Sequence, residues 1–374
     1  MSRIKKHFDY LIVGAGLAGA TFASIATANG KKCLVIEKQS KVGGNIRTER
    51  ISNIDVHLFG PHIFHTSDEI VWKFINLFGK FNNFINQPIA NYKGEIYNLP
   101  FNMNTFSKLW NIGTPEEARA IIEKQKVLFD RKPENLEEQA LSLVGKDIYE
   151  KLIKEYTEKQ WGRDCKELPA FIIKRIPIRF TYDNNYFNDK YQGIPENGYT
   201  EIINNMLIDS DVLFDMPFER FKSFGKNISY DKIVYTGPID EYYGYCFGEL
   251  QYRSLRFENS VYNIDSYQGN AVVNYTSKDE KFTRMIEHKF FNKNRKSDKT
   301  IVTKEYPLKW SRGRIPYYPI NDEENNKLYS KYKDFGKENN NIIFCGRLGS
   351  YKYMDMDKVI RQVIDKCKEE SLLI

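Results

Sequence analysis

Three glycines, Gly14, Gly16 and Gly19, follow the apolar run Tyr10 to Val13 and open a helical pattern that continues from Leu17 to Asn29. Each type and spacing suits a bound pyrophosphate. Gly14 makes the turn, Gly16 lets the backbone approach the phosphates, and Gly19 lets helix and strand pack closely. The amides of Ala15 and Leu17, at the helix start, then face the phosphate charge. Gly30 stops the helix, Cys33 to Ile36 reads as a second buried strand, and Glu37 and Lys38 stand at its end. Glu37 is placed to accept hydrogen bonds from an adenosine ribose. Strand, glycine turn, helix, strand and acid within one βαβ unit point to dinucleotide binding rather than a structural turn. Gly43, Gly44 and Asn45 keep the backbone bare where a second ligand segment would lie.

Other residues carry chemistry less specifically. His62 and His65 sit three apart in GPHIFHT, but a zinc site would need further partners, and His57 alone does not supply them. Packing or a place at a cofactor edge fits them better, and no metal is expected. Arg175 and Arg284 lie on distant segments and suit a diphosphate, because a guanidinium stays charged and binds oxygens bidentately. Taken singly, each also fits a surface or sheet-face charge. Tyr156, Trp161, Tyr186, Tyr317, Tyr318 and Tyr353 are equally open between packing and ligand contact. The sequence has no Gly-x-Ser-x-Gly, no phosphate loop of the Walker kind and no evident Ser/His/Asp set, so any nucleophile belongs to the cofactor.

The elements that must position these residues divide the chain. At 374 residues, 41% hydrophobic and 28% charged, the chain is long enough for two or three domains and reads as globular. The net charge of +7 is spread along the length, with no basic arm, which favours a small anionic ligand over nucleic acid. Five scattered cysteines without a CxxC pair suit a reducing compartment. Arg3, Lys5 and Lys6 before an apolar run imitate a secretory signal, but Asp9 interrupts it and cleavage would destroy the glycine motif. A cytoplasmic protein is expected, with no run long enough to span a bilayer.

After Asp68 a helical pattern begins, and the sequence reads mainly helical as far as Trp161. Thr114, Pro115 and Glu117 form a capping box, Asn135 opens a helix closed by Gly145, and Lys146 to Gln160 forms another. Leu168 to Phe180, with two prolines and three cations, reads as a mobile flap. Ser229 to Thr236 is a further cofactor-domain strand, and four β-rich runs between Tyr252 and Leu308 imply an antiparallel sheet. The closing segment from Asn341 reads as strand, turn and helix, returning to the cofactor domain. The expected architecture is α/β: a discontinuous Rossmann-like FAD-binding domain (1–80, 192–240 and 325–374), a helical domain (81–165), and an antiparallel β-sheet domain (166–191 and 241–324) with its flap near 166–181.

The glycine region with GGN resembles the FAD-binding oxidoreductase and amine-oxidase type of fold, and that resemblance favours FAD over NAD. The strings YTEKQWGRDCKELPAFIIKRIPIRF, DNNYF, YQGIPENGYTEIINNML, YTGPID, TRMIEHKFF, VTKEYPLKW, PYYPIND and GRLGSYKYMDM resemble the bacterial UDP-galactopyranose mutase family, nearly collinearly from residue 8 to about 365. The resemblance implies a flavoprotein isomerase that converts UDP-galactopyranose to UDP-galactofuranose for polysaccharide biosynthesis. It works with reduced FAD and no net redox change: flavin N5 attacks the anomeric carbon, UDP leaves, and the sugar ring opens and recloses. It further implies that Arg175 and Arg284 bind the diphosphate, with Arg175 on the closing loop. Asn86, Tyr156, Thr157 and Trp161 lie near the nucleotide, Tyr186, Tyr318 and Tyr353 hold the diphosphate, and Asn274 and Asp355 lie near sugar and flavin. His62, Ile63 and His65 belong at the flavin edge, with His65 among the catalytic residues, and Arg347, Tyr353, Asp355 and Met356 make a second FAD contact. An external reductant such as NAD(P)H or a reductase, and a homodimer, are implied as well.

Two departures bear on the sugar. Pro61 stands where the family often has Ala, and Gly349-Ser350 where Ala-Glu is common. Both are expected near the place where a sugar is discriminated, so UDP-N-acetylgalactosamine and dTDP-fucose remain alternative substrates. An FAD-dependent oxidoreductase, which would need no diphosphate clamp, and a non-catalytic flavin-binding protein are the readings from other classes.

Overall fold

The computed structural model of the protein describes residues 6–175, 177–337 and 341–373; the side chains of Lys174 and Arg175 lie outside the described residues. The N-terminal βαβ unit is the seed of a five-stranded parallel sheet, ordered Ile342–Phe344, Ile228–Tyr235, Lys6–Val13, Cys33–Ile36 and Asp211–Leu213. Parallel neighbours need crossovers, and here the Leu17–Ala28 helix supplies the first of them. That helix is rich in Ala and Gly, so it lies close to the C-terminal helix Met356–Glu369, whose Val359, Ile360, Val363 and Ile364 are buried. The strands of this sheet come from three separate stretches of the chain, 6–36, 211–235 and 342–344.

A seven-stranded sheet forms the second layer, ordered Tyr318–Pro319, Tyr252–Tyr262, Thr300–Lys309, Arg284–Glu287, Val272–Tyr275, Ile89–Tyr92 and Glu95–Asn98. Its pairings are antiparallel except that between Val272–Tyr275 and Ile89–Tyr92. The last two strands correct the reading of 81–165 as a helical domain. They form a hairpin whose turn, Lys93 and Gly94, takes positive φ at both residues, the geometry that matches strand twist. The signal was a Lys-Gly pair between two four-residue runs too short to show a period.

Helices occupy the region from Met103 onward, capped by Asn102, Thr114 and Asn135. The long helical stretch from Lys146 to Trp161 is not uniform: Tyr149–Lys154 widens into a π-helix between two α-helical pieces. Leu168 and Ile173 are buried in this helical core, and Ile178 and Phe180 pack against it. The 166–181 segment, expected in the sheet domain, therefore packs mainly on the helices. It includes the 3-10 turn Ala170–Arg175, and its far end is tied by Arg179 N–H to the Phe101 carbonyl (2.8 Å) and by Met103 N–H to the Thr181 carbonyl (2.9 Å). Among the described residues, no helix is long and apolar enough to cross a membrane.

Asp68 joins two segments of the parallel-sheet domain. Its carboxylate accepts from the amides of Ile70 (3.0 Å) and Val71 (3.3 Å) at the start of the Glu69–Ile75 helix, and from Arg361 Nε (2.7 Å) and Nη2 (2.6 Å) on the C-terminal helix. Burial alone would raise its pKa; Arg361 and the two amides outweigh that and hold it below the usual value. Asp68→Ala should cost about 2 kcal/mol in urea unfolding at neutral pH. The difference from wild type should be full above about pH 4 and shrink as acid protonates the folded carboxylate. An unchanged midpoint at neutral pH would contradict this.

Candidate functional site

The glycine cradle can be tested by asking what a side chain would meet. A Cβ on Gly19 would lie 2.0 Å from the Gly14 carbonyl oxygen, so helix and strand touch there. Gly14, at φ +104°, leaves only 2.3 Å to Thr236 Oγ1, which itself donates to the Val13 carbonyl. Gly16 differs: a Cβ there would find only Gly44 Cα, at 3.8 Å. The two glycines thus keep a strip of bare backbone at the start of a twelve-residue helix with no acid in its first turn. Glu37 is buried and stitches the turn together, accepting from Ala15 N–H (2.8 Å) and Gln39 N–H (2.9 Å). Its carboxylate keeps lone pairs for ribose hydroxyls. Asn45 lies in the tight turn Gly44–Ile46, Leu17 begins the helix, and Lys38 is exposed just past the strand. These residues fit a dinucleotide.

The second half of the site is a row across the seven-stranded sheet. Register sets Ala90 opposite Asn274, Asn274 opposite Arg284, Arg284 opposite Glu305, and Glu305 opposite Phe257. Directly opposed residues share a face. Arg284 Nε lies 3.1 Å from Glu305 Oε1, and Glu305 is almost completely buried. Burial costs the Arg284 cation solvation, but Glu305, Tyr156, Tyr318 and Tyr353 more than restore it, and its pKa rises above the ordinary arginine value. Arg284 is cationic at every working pH. Beside it, Asn274 Oδ1 is buried without a hydrogen-bond partner among the described residues, as expected of an atom that awaits a ligand.

Tyrosines close over the row. Tyr318 and Tyr353 stack at 5.7 Å, and Arg347 lies over both rings while donating to the carbonyls of Tyr317 (3.1 Å) and Met354 (2.7 Å). Burial pushes Tyr186 up to about 12, with Tyr156, Arg284, Tyr353 and Asp355 all in electrostatic reach. Asn86 is buried, and its carbonyl accepts from Tyr186 N–H (2.8 Å). Tyr156, buried Thr157 and Trp161 ride on the Glu155–Trp161 helix, with Trp161 also packed on the helical core. Asp355 and Met356 stand at the start of the C-terminal helix. Arg175 cannot be placed by its side chain, which lies outside the described residues.

The segment from Gly60 to His65 lies between the two halves. A Cβ on Gly60 would come within 3.4 Å of Glu305 Oε2, so the chain just before Pro61 runs beside the buried pair. His62 is held at three points: its N–H donates to His57 Nδ1 (3.1 Å), its carbonyl accepts from Tyr199 (2.9 Å), and its ring Nδ1–H donates to the Gly60 carbonyl (2.7 Å). Burial, with Arg347 and Arg284 nearby, pulls its pKa down to about 4, and the imidazole is neutral. Ile63 is buried. His65 stacks on Phe187 at 3.7 Å and bonds through Nδ1 to Asp189 Oδ2 (2.7 Å). Gly349 and Ser350, in contrast, serve packing within the parallel-sheet domain. A Cβ on Gly349 would lie 2.9 Å from the Tyr235 carbonyl oxygen, and Ser350 Oγ accepts from Gln362. That corrects their expected place at the sugar.

Sequence reasoning missed Glu305, Asp189, His57 and Tyr199. Glu305 had a signal, an acid inside the otherwise strand-like run TIVTKEYPL. Asp189 and Tyr199 act on His65 and His62 from far along the chain, whereas His57, weighed above only as a metal ligand, accepts from the nearby His62 N–H.

The cradle makes a paired prediction. Gly16 has φ −87°, which any residue adopts, so Gly16→Ala should fold normally yet lose most of the dinucleotide bound by wild type. Gly19→Ala should lower the unfolding midpoint itself, because its methyl collides with backbone. Undiminished dinucleotide binding in Gly16→Ala would remove the cradle assignment.

Comparison with known proteins places this geometry. Residues 12–78 match an NAD(P)-binding Rossmann-like domain, and residues 151–353 match the UDP-galactopyranose mutase family. The chain is 39% identical over 362 residues to the dTDP-fucopyranose mutase of Escherichia coli, covering 95% of this chain and 96% of that one. It is 38% identical to a probable UDP-galactopyranose mutase of Klebsiella pneumoniae, covering 96% and 94%. A crystal structure of reduced UDP-galactopyranose mutase superposes with a TM-score of 0.77 at 16% identity, over 98% of this chain and 94% of that one, a likeness of fold. The parallel and antiparallel sheets, the glycine cradle and these matches make this chain a member of the UDP-galactopyranose mutase family, an isomerase that interconverts the pyranose and furanose forms of a nucleotide sugar.

Proposed function

We propose that the chain converts UDP-galactopyranose to UDP-galactofuranose with reduced FAD in the dinucleotide cradle, in the cytoplasm, with an external reductant such as NAD(P)H or a reductase and as a homodimer. The observation that carries this reading is Arg284: a permanently charged guanidinium set among Tyr156, Tyr318 and Tyr353 and paired with buried Glu305. Reduced FAD, when bound, supplies the nucleophile for the anomeric carbon. Glu37, the amide at Leu17, Arg347 and the start of the C-terminal helix would hold it; the Ala15 amide, expected to face the phosphates, instead donates to Glu37.

The chain's own residues handle the leaving group. Arg284, with Arg175 from the 166–181 segment, binds the diphosphate and stabilises the negative charge that develops as the glycosidic bond breaks. Tyr186, Tyr318 and Tyr353 donate to the same oxygens, while Tyr156, Thr157 and Trp161 hold the nucleoside and Asn86 adds a polar contact there. Asn274 offers its unpartnered Oδ1 to a sugar hydroxyl. His62, neutral and triply anchored, shapes the cofactor edge, and His65, oriented by Asp189, lies beside it. Retaining UDP between the two half-reactions keeps the sugar open to recapture, which is why an isomerase needs so many diphosphate contacts.

The E. coli dTDP-fucopyranose mutase at 39% identity supports a second reading, the same chemistry on dTDP-fucose. Pro61 bears on that choice because the chain just before it runs beside Glu305. UDP-N-acetylgalactosamine is the third candidate.

Arg284→Ala should lower turnover by about a thousandfold or more while the protein stays yellow with flavin. Retained turnover would remove the clamp. With dithionite-reduced wild type, UDP-galactofuranose, UDP-N-acetylgalactofuranose and dTDP-fucofuranose should be offered separately and pyranose formation followed by chromatography. Fastest conversion of the first supports the primary reading; fastest conversion of dTDP-fucofuranose replaces it with the second.

A further inference from the structure

The helix that carries Tyr156, Thr157 and Trp161 is tied to the loop leading into the strand that carries Arg284, and Lys159 is the centre of that junction. Lys159 lies one turn beyond Tyr156, and residues three apart share a helix face. Its Nζ reaches four carbonyl oxygens of one loop: Tyr275 (2.8 Å), Ser277 (2.6 Å), Glu280 (3.0 Å) and Phe282 (3.0 Å). That loop connects the Val272–Tyr275 strand, which holds Asn274, to the Arg284–Glu287 strand. The ammonium sits in the loop as a bound cation would, with Glu280, Glu155 and Asp279 adding favourable charge. Burial acts against the charge and draws the pKa down to about 8.

Two further contacts tighten the same junction. Glu155 accepts from Lys278 N–H (2.7 Å), and Glu158 pairs with Lys278 Nζ (2.5 Å). At the other end of the helix, Arg253 Nε donates to the Gln160 carbonyl (3.0 Å), and a Cβ on Gly162 would lie 2.8 Å from Arg253 Nη1. The helix needs this outside support because it emerges from the π-helical stretch Tyr149–Lys154, where the regular hydrogen-bond ladder is interrupted.

We propose that Lys159 is a positioning residue: by closing the loop 275–282 around its ammonium, it sets the distance between the nucleoside-contacting face of the Glu155–Trp161 helix and Arg284. The inference rests on the nucleotide reading above. A nucleoside diphosphate spans both sides, so its affinity depends on their spacing. Inorganic diphosphate touches only the arginine side and does not.

The test is titration of reduced and oxidised holoenzyme with UDP and with inorganic diphosphate. Lys159→Met should weaken UDP binding about tenfold or more, the equivalent of roughly 1.4 kcal/mol. KM should rise in proportion, with kcat at saturation within about threefold, and diphosphate affinity and flavin content should be unchanged. Lys159→Gln, which keeps two N–H donors, should recover part of the loss. Should the Met variant not fold, Lys159→Gln and Glu158→Gln carry the test with smaller shifts in the same direction. Unchanged UDP affinity in a folded variant, or equal losses of UDP and diphosphate, would overturn the inference. Failure of the wild type to bind UDP would instead overturn the proposed function, and this inference with it.

Discussion

A guanidinium largely buried on a sheet needs a reason to stay there, and in this fold the reason is Glu305. Opposing residues on neighbouring strands put the two in one row, where their close ion pairing works against a desolvation cost of several kcal/mol per ion. Removing either partner would leave a buried charge unpaired. The strand holding Arg284 must therefore be internal, and it is, flanked by Val272–Tyr275 on one side and Thr300–Lys309 on the other. The hairpin of Ile89–Tyr92 and Glu95–Asn98 then covers the edge that Val272–Tyr275 would otherwise expose.

Around this fixed cation the other groups are kept neutral. His57 is buried, stacks on Phe291, and accepts from His62 N–H; its own backbone N–H donates to His288 Nδ1 (3.2 Å). His288 continues through Nε2 to Thr303 (2.6 Å), which donates to Asn259. Burial draws His288 down to about 3 and His57 well below its ordinary value. The chain of imidazoles thus fixes the Gly60–His65 segment by geometry without adding positive charge. The field felt at the diphosphate comes from arginine, and arginine does not titrate in the working range.

Two rigid halves meet here for different physical reasons. The dinucleotide half relies on absence of side chains, which lets backbone approach a ligand. The sheet half relies on long side chains converging from several strands and helices, which costs conformational entropy and is offset by stacking and hydrogen bonding, as in Tyr318 with Tyr353 and Arg347. The Lys159 cage belongs to a third kind of constraint, one that joins units rather than building either.

Local chemistry determined a good deal of this from residue order alone. The glycine turn, Glu37 at its strand end, the caps at Asp68, Thr114 and Asn135, and the four β-rich runs after Tyr252 were legible because each depends on neighbours within a few positions. The mutase family was legible because its strings recur in order. The hairpin at 89–98 was not, since its strands are four residues each and are stabilised by a partner strand almost two hundred residues away. The packing of 168–180 on helices, the pairing of Arg284 with Glu305, the burial of Gly349 against Tyr235, and the cage around Lys159 were likewise decided by tertiary structure. Sequence encodes turns and periods locally, whereas register and burial exist only once distant segments share a face.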